Sequence, residues 1–218
     1  MRPKGYSGSF DWDELFSALS SYYRSCDAPV KRFEAISAAS PLQILVSAML
    51  SARTNDRTTT KVMSNWQITE LSQLQGLSAA AIRKLIYPVG FYQQKAQHLS
   101  KWYDHIQRNF AGQLPTQRQQ VMSLPGVGLK TANLYLSRAY GLPFVCVDIH
   151  VHRICARLGI TSGKTPQQTE KELSQILPKK FISDANRYFV ALGQTLCKAQ
   201  KTECDVCPLG NLCARKGV

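Results

Sequence analysis

Apolar residues recur at helical spacing along nearly all of this chain, and no stretch alternates apolar and polar residues as a half-buried strand would. Asp11 has the position of a helix N-cap, ahead of a segment with its apolar residues on one face. Ser40 and Pro41 open the segment Ser40–Ala52, whose apolar residues cover most of a helix surface. The sequence therefore predicts an all-α fold with Ser40–Ala52 as a buried central helix.

Turn and cap residues predict the boundaries of further helices. The stretch 77–107 is predicted to form a helix, a turn at Pro88–Gly90 and a second helix. Gly141 and Gly159 are typical C-terminal ends for the two helices that follow the second turn. Thr165 and Gln168 have the spacing of a capping box at the start of another helix.

The charge balance narrows the range of partners. Lys and Arg number 27 against 14 Asp and Glu, giving a net charge of +13, and the basic residues are spread along the chain. Such an excess is typical of a protein that binds a polyanion, most often nucleic acid. No apolar run approaches the roughly 20 residues of a membrane span, and the N-terminus lacks the apolar centre of a secretory signal. We therefore expect a soluble cytoplasmic protein without a membrane partner.

Four of the seven cysteines lie close together near the C-terminus, as Cys197-x6-Cys204-x2-Cys207-x5-Cys213. Four thiolates on one loop can converge on a single centre, and such ligation suits zinc or an iron–sulfur cluster. Zinc sites usually have two short paired spacings, and this loop has one, which favours iron–sulfur. The remaining three lie among apolar residues and are predicted to be buried small hydrophobes, namely Cys26, Cys146 and Cys155.

The stretch SLPGVGLKTA (residues 123–132) combines a glycine turn with the start of a helix. Gly126 and Gly128, which flank Val127, can adopt positive φ, and a nest of backbone amides at a helix N-terminus binds phosphate. Lys130 follows in the first helical turn, where the positive end of the helix dipole repels a cation. That repulsion favours the uncharged amine, which is a nucleophile. The alternatives are a simple turn and a lysine that contacts phosphate.

Asp148 stands between an apolar run and the next helix, in VCVDIHVHR (residues 145–153). A carboxylate there is an ordinary N-cap, and the helix N-terminus also keeps it ionised. An ionised, fixed carboxylate can stabilise a cationic sugar, as in glycoside hydrolysis. His150 is interpreted as structural or adjacent to the substrate, because no partner ligands for a metal lie at suitable spacing.

Together, LPGVGLKTA, VDIHVHR and the cysteine loop resemble the helix-hairpin-helix DNA glycosylases of the iron–sulfur type, and among them the endonuclease III family. The resemblance extends from about Ser40 to Cys213. It implies two helical domains flanking a DNA-binding cleft: a six-helix barrel carrying the hairpin at 34–141, and a cluster domain at 1–33 plus 142–218. It also implies a [4Fe-4S] cluster on the four C-terminal cysteines, double-stranded DNA as partner, and a monomer associated with the nucleoid.

The resemblance further implies removal of oxidised pyrimidines and cleavage of abasic sites. Lys130 would attack C1′ of the deoxyribose and form a Schiff base, Asp148 would stabilise the developing positive charge, and β-elimination would cut the strand. Gly126, Val127 and Gly128 would bind the DNA backbone.

Arg53 and Phe91 match the positions that fill the gap left by an extruded nucleotide. Family members usually have glutamine and leucine there, and this chain has Ile149 in place of the threonine of VDTH. We expect Arg53 to hydrogen-bond the orphaned base and to make the opposite-base choice stricter.

Three alternatives are weaker. An adenine mismatch glycosylase shares the hairpin, the aspartate and the cluster but lacks the nucleophilic lysine. A non-catalytic DNA-binding protein with a structural metal explains the charge and the cysteines, but not the pairing of Lys130 with Asp148. A helical scaffold protein leaves the C-terminal loop unexplained.

Overall fold

The structure is a computed structural model that describes residues 10–37, 40–162 and 164–218, without the side chains of Ile36 and Ser37. Over these residues the secondary structure is helical, with no strand longer than an isolated bridge between Cys197 and Thr202. The predicted all-α class is confirmed. The helices are α1 Trp12–Ser25, α2 Pro29–Ser37, α3 Pro41–Ser51, α4 Asp56–Ser64, α5 Ala79–Ile86, α6 Tyr92–Leu99, α7 Trp102–Phe110, α8 Arg118–Met122, α9 Leu129–Tyr140, α10 Ile149–Leu158, α11 Pro166–Ile176 and α12 Ile182–Thr195.

The chain divides into two compact units, one of Met1–Lys31 with Pro143–Val218 and one of Arg32–Leu142. We call them the terminal unit and the central unit. The expected barrel and cluster domains stay a prediction, and the expectations for residues 1–9 lie outside the described residues. None of the helices in the described part of the chain combines the length and apolarity needed to cross a membrane.

The core of the terminal unit lies between α1, α10 and α12. Leu15, Phe16 and Leu19 form the buried face of α1, as its spacing predicted, with Asp11 capping the helix through the amide of Glu14. These side chains pack against buried residues of α10 and α12. Of the three cysteines predicted as buried, Cys146 and Cys155 are buried and Cys26 is half-buried.

The central unit is built around α3. Ser40 caps this helix through the amide of Gln43, Pro41 occupies its first turn, and eight of its eleven residues are buried. The helix α9 packs against α3, and its residues from Thr131 to Ser137 are all buried. The predicted central helix is confirmed, and α9 is held along its length by core packing.

The prediction of one helix after the Pro88–Gly90 turn is wrong, because α6 ends at Leu99 and α7 begins at Trp102. At the break, the amide of Lys101 bonds the carbonyl of His98 in a tight turn. Trp102 is fully buried there, and its indole N–H donates to the carbonyl of Pro125 at 2.9 Å. The start of α7 is thus anchored to a residue 23 positions away in sequence.

Candidate active site

The glycine turn and the helix start predicted at residues 123–132 are present, between α8 and α9. Gly126 has a φ of +78°, and a Cβ there would lie 2.3 Å from Nδ1 of His98. Gly128 differs from the prediction: it is the extended N-cap of α9, with a φ of −99°, and a Cβ there would meet no atom within 4 Å. Gly126 is therefore required for the fold of the turn, whereas Gly128 leaves open space beside the helix N-terminus.

Lys130 is exposed in the first turn of α9. In this described stretch, the first turn of α9 contains no acidic side chain, and the N-cap residue Gly128 offers no side chain to accept from the helix amides. The helix N-terminus thus keeps its positive character for an anion. Because α9 is buried from Thr131 to Ser137, the backbone that carries Lys130 is fixed by the core of the central unit.

Asp148 is the N-cap of α10, as predicted. Its Oδ1 accepts hydrogen bonds from the amides of His150 and Val151, both at 2.9 Å. Both bonds end on the same oxygen, so the cap does not occupy Oδ2. Both donors lie in the first turn of α10, so the carboxylate is held at the helix N-terminus. Lys130 belongs to the central unit and Asp148 to the terminal unit, and their pairing stays a prediction.

His150 has a structural environment. Its Nδ1 lies 3.0 Å from Nη2 of Arg153, and since a guanidinium can only donate, Nδ1 is the acceptor and carries no proton. A Cβ on Gly193 would lie 2.6 Å from the same nitrogen. The ring therefore fills the notch that this glycine leaves in α12. Gly193 and Arg153 were missed from the sequence, although a glycine inside a helical pattern often marks such close packing.

Arg53 and Phe91, the two predicted gap-filling residues, lie side by side in the central unit. The guanidinium carbon of Arg53 is 5.4 Å from the centroid of the Phe91 ring, a cation–π contact. Both side chains are exposed, Phe91 by 56%. Both backbones are left-handed, with φ of 54° and 57°, a conformation that costs a residue with a side chain about 1–2 kcal/mol. The pair is therefore held in place by its surroundings.

Three residues that the sequence reading did not single out for a role provide those surroundings. Gly90 lets the two segments approach, because a Cβ there would lie 2.4 Å from the carbonyl oxygen of Arg53. Its amide donates to Oγ1 of Thr54 at 3.0 Å. Lys95 lies beneath this contact and bonds the same hydroxyl. The Pro88–Gly90 turn was visible in the sequence, but its contact with Thr54, 36 residues earlier, was not.

The four C-terminal cysteines line one cavity of the terminal unit, together with Arg157, Leu196 and Gly210. Arg157 is buried on α10 and donates to Sγ of Cys197 at 3.2 Å, and to the carbonyls of Lys198 and Ala199 at 2.7 and 3.2 Å. The guanidinium therefore joins the sulfur of Cys197 and two loop carbonyls to α10. Arg157 was also missed, since nothing local distinguishes it from a surface arginine.

The donor set of this cavity is four thiolates, which suit zinc or an iron–sulfur cluster. Among the described residues, no group of three or more His, Cys, Asp and Glu side chains is placed to hold one metal ion. A single zinc would draw four thiolates to within about 2.3 Å of one point, whereas a cluster binds each thiolate to a separate iron. The four sulfurs thus line one cavity without forming a closed site for a single metal ion in the described part of the chain.

The chain is similar in sequence to known DNA repair proteins. The family model of the HhH-GPD superfamily base excision DNA repair protein matches residues 46–179, a range that includes Lys130 and Asp148. Endonuclease III of Rickettsia felis is 33% identical over 174 residues, which cover 78% of this chain and 81% of that protein.

Two solved structures are similar over nearly the whole chain. A non-covalent endonuclease III–DNA complex aligns with a TM-score of 0.79 at 27% identity, covering 93% of this chain and 94% of that one. A trapped endonuclease III–DNA covalent intermediate aligns with a TM-score of 0.76 at 28% identity, covering 93% and 95%.

Proposed function

The chain belongs to the HhH-GPD superfamily and, within it, to the endonuclease III family of DNA glycosylases and AP lyases, and we propose that Lys130 and Asp148 carry out its chemistry on oxidised pyrimidines and abasic sites. The observation that carries the proposal is Lys130, exposed at an anion-binding helix N-terminus whose backbone is fixed in the core. A relative of similar fold has been trapped covalently on DNA, as a nucleophilic amine requires.

The hairpin supplies the contact with the DNA backbone. The amides around Gly126, Val127 and Gly128 would bind a phosphate at the start of α9, and the open space beside Gly128 leaves room for it. The damaged nucleotide, extruded from the stack, would then present its sugar to Lys130.

Lys130 acts as the nucleophile. Its lone pair forms a bond to C1′ while the bond from C1′ to the base breaks, and the departing base takes the bonding electrons and then a proton. Opening of the sugar ring gives a protonated imine between Nζ and C1′. The imine acidifies the C2′ proton, so that loss of this proton expels the 3′ phosphate and cuts the strand.

Asp148 stabilises the positive charge that develops on the sugar as the base departs. Its Oδ1 bonds to two amides fix the position of the carboxylate at the start of α10. The adjacent His150 packs within the terminal unit and contributes to holding the start of α10.

Arg53 and Phe91 fill the gap in the DNA stack, with the ring of Phe91 stacking on bases and the guanidinium of Arg53 facing the orphaned base. Their mutual contact and exposure support this role. An arginine can donate several hydrogen bonds to one base edge, which makes the activity dependent on that base.

The cysteines 197, 204, 207 and 213 would hold a [4Fe-4S] cluster. When bound, such a cluster joins four points of the C-terminal segment through iron–thiolate bonds. Arg157 would fix Cys197 against α10 through its bonds to the sulfur and to two loop carbonyls. Iron and sulfide analysis of the purified protein tests this assignment.

Borohydride trapping on a duplex with one abasic site tests the function. The wild-type protein is expected to form a covalent adduct, and Lys130→Ala is expected to form none while its affinity for the duplex stays within a fewfold. Absence of an adduct from well-folded wild-type protein would refute the lyase assignment. A panel of duplexes with oxidised pyrimidines then tests the lesion class, light scattering tests the expected monomer, and localisation in cells tests the expected association with the nucleoid.

A further inference from the structure

Lys95, on α6, is the only buried lysine among the residues that the structure describes, with 7% of its surface exposed. Burying an ammonium is costly unless its donors are all paired. Nothing in the bond-breaking steps uses this side chain. Its burial therefore points to a role of another kind.

The ammonium of Lys95 has three N–H donors, and three oxygen atoms of the protein lie within hydrogen-bond distance of it. Nζ donates to the carbonyls of Leu50 and Ala52, both at 2.7 Å, and to Oγ1 of Thr54 at 3.1 Å. The first two carbonyls lie at the C-terminal end of α3, where carbonyls lack helical partners and a positive charge is favourable. Lys95 thus closes the end of α3 and binds the segment that follows it.

Arg53 lies between two of these acceptors in sequence. Ala52 and Thr54 are both bonded to Lys95, so the left-handed backbone of Arg53 is fixed on each side. Such strained residues persist only where their surroundings hold them.

Thr54 transmits the same restraint to the second segment. Its Oγ1 accepts from Lys95 and also from the amide of Gly90, the residue before Phe91. One hydroxyl therefore joins the Arg53 segment to the Phe91 turn, directly above the ammonium.

We infer that Lys95 is a positioning residue that holds Arg53 and Phe91 in the paired arrangement that reads the base opposite the lesion. This role rests on the proposed function of the pair. Under it, Lys95 affects opposite-base selectivity, whereas the rate of bond breaking depends on Lys130 and Asp148. Burial lowers the pKa of Lys95 to about 8, and the side chain is therefore predominantly an ammonium at neutral pH.

The test uses the full-length protein and duplexes with an abasic site opposite each of the four bases. Dissociation constants and single-turnover cleavage rates at saturating enzyme are measured for wild type, Lys95→Met and Thr54→Val. Lys101→Met, which removes an exposed lysine just before α7, is the control for net charge. Thr54→Ser keeps the hydroxyl and is the control for Thr54→Val.

In Lys95→Met we expect the affinity for the preferred duplex to fall about tenfold. The ratio of the affinities for the duplexes with the best and the worst opposite base should approach one. The saturated cleavage rate and the borohydride adduct should stay within about twofold of wild type. Thr54→Val should shift the ratio in the same direction, and Thr54→Ser and Lys101→Met should retain it. Hydrogen exchange at the Gly90 amide should quicken at least tenfold in Lys95→Met.

Several results would overturn the role. A wild type indifferent to the opposite base, or a Lys95→Met variant with wild-type selectivity, removes the selectivity assignment. Loss of saturated cleavage in parallel with selectivity makes Lys95 a general structural residue. A wild type that forms no borohydride adduct overturns the proposed function instead, and this result is separate from the others.

Discussion

Gly126 and Gly128 are equivalent in the sequence motif but differ in the structure, and replacing each by alanine separates folding from DNA binding. At Gly126, alanine must adopt a φ of +78°, which costs about 1–2 kcal/mol. Its Cβ would also lie 2.3 Å from the His98 ring, far inside the carbon contact distance of about 3.5 Å. Forcing the ring aside adds about 1–3 kcal/mol.

The two alanine variants should therefore differ in stability. Gly126→Ala is expected to lose about 3 kcal/mol, equivalent to a fall in Tm of about 6–12 °C for a chain of this size. At Gly128, the gain of about 0.4–1 kcal/mol from a stiffer unfolded chain offsets the poorer N-cap, whose loss is of similar size. The stability of Gly128→Ala should stay within about 1 kcal/mol of wild type.

DNA binding should follow a different order. The methyl group of Gly128→Ala points into the space proposed for the phosphate, so affinity for an abasic-site duplex should fall on the order of tenfold, or about 1.4 kcal/mol, in a fully folded protein. Thermal and urea unfolding measure the first effect, and fluorescence anisotropy measures the second. Equal loss of stability in the two variants, or wild-type stability of Gly126→Ala, would refute the reasoning.

Three further predictions concern other parts of the chain. Asp148→Asn keeps an oxygen for the cap, so its free energy of unfolding should stay within about 0.5 kcal/mol of wild type, whereas that of Asp148→Ala should fall by about 1 kcal/mol. Both variants should lose base excision, and excision by the asparagine variant would contradict the catalytic role. Arg157→Met removes the donors to Cys197 and two loop carbonyls and should lower the iron and sulfide bound per chain, measured against exposed Lys201→Met; equal content in both variants would count against this role. Burial lowers the pKa of Lys95 from 10.5 to about 8, so between these pH values the unfolded chain binds more protons at this residue than the folded chain does. The free energy of unfolding should therefore rise with pH over that interval by up to about 3 kcal/mol in wild type but not in Lys95→Met. Parallel curves of unfolding free energy against pH for the two proteins would contradict the burial argument.

The sequence predicted best those features that depend on neighbouring residues. The caps at Asp11, Ser40 and Asp148 each bond an amide two or three residues ahead, so the local pattern contains both partners. The burial of α3 likewise follows from its composition.

Features that depend on distant partners were not visible. Lys95 bonds atoms 41 to 45 residues earlier in the chain, and its local pattern is that of a surface lysine. The break between α6 and α7 depends on the contact of Trp102 with Pro125. The expectation of a positive φ at Gly128 was wrong, because glycine permits positive φ without requiring it.

The helix α6 carries two of the supports described above, since Lys95 lies beneath the Arg53 segment and His98 lies against Gly126. They are three positions apart, a spacing that advances about 4.5 Å along a helix and brings both side chains to one side of the axis. The helix α6 therefore sets the distance between the turn proposed to bind phosphate and the pair proposed to fill the gap. One residue inserted between Lys95 and His98 would rotate one of these side chains about 100° from the other. The spacing between the turn and the pair would then be lost, although every side chain proposed to contact DNA would be unchanged.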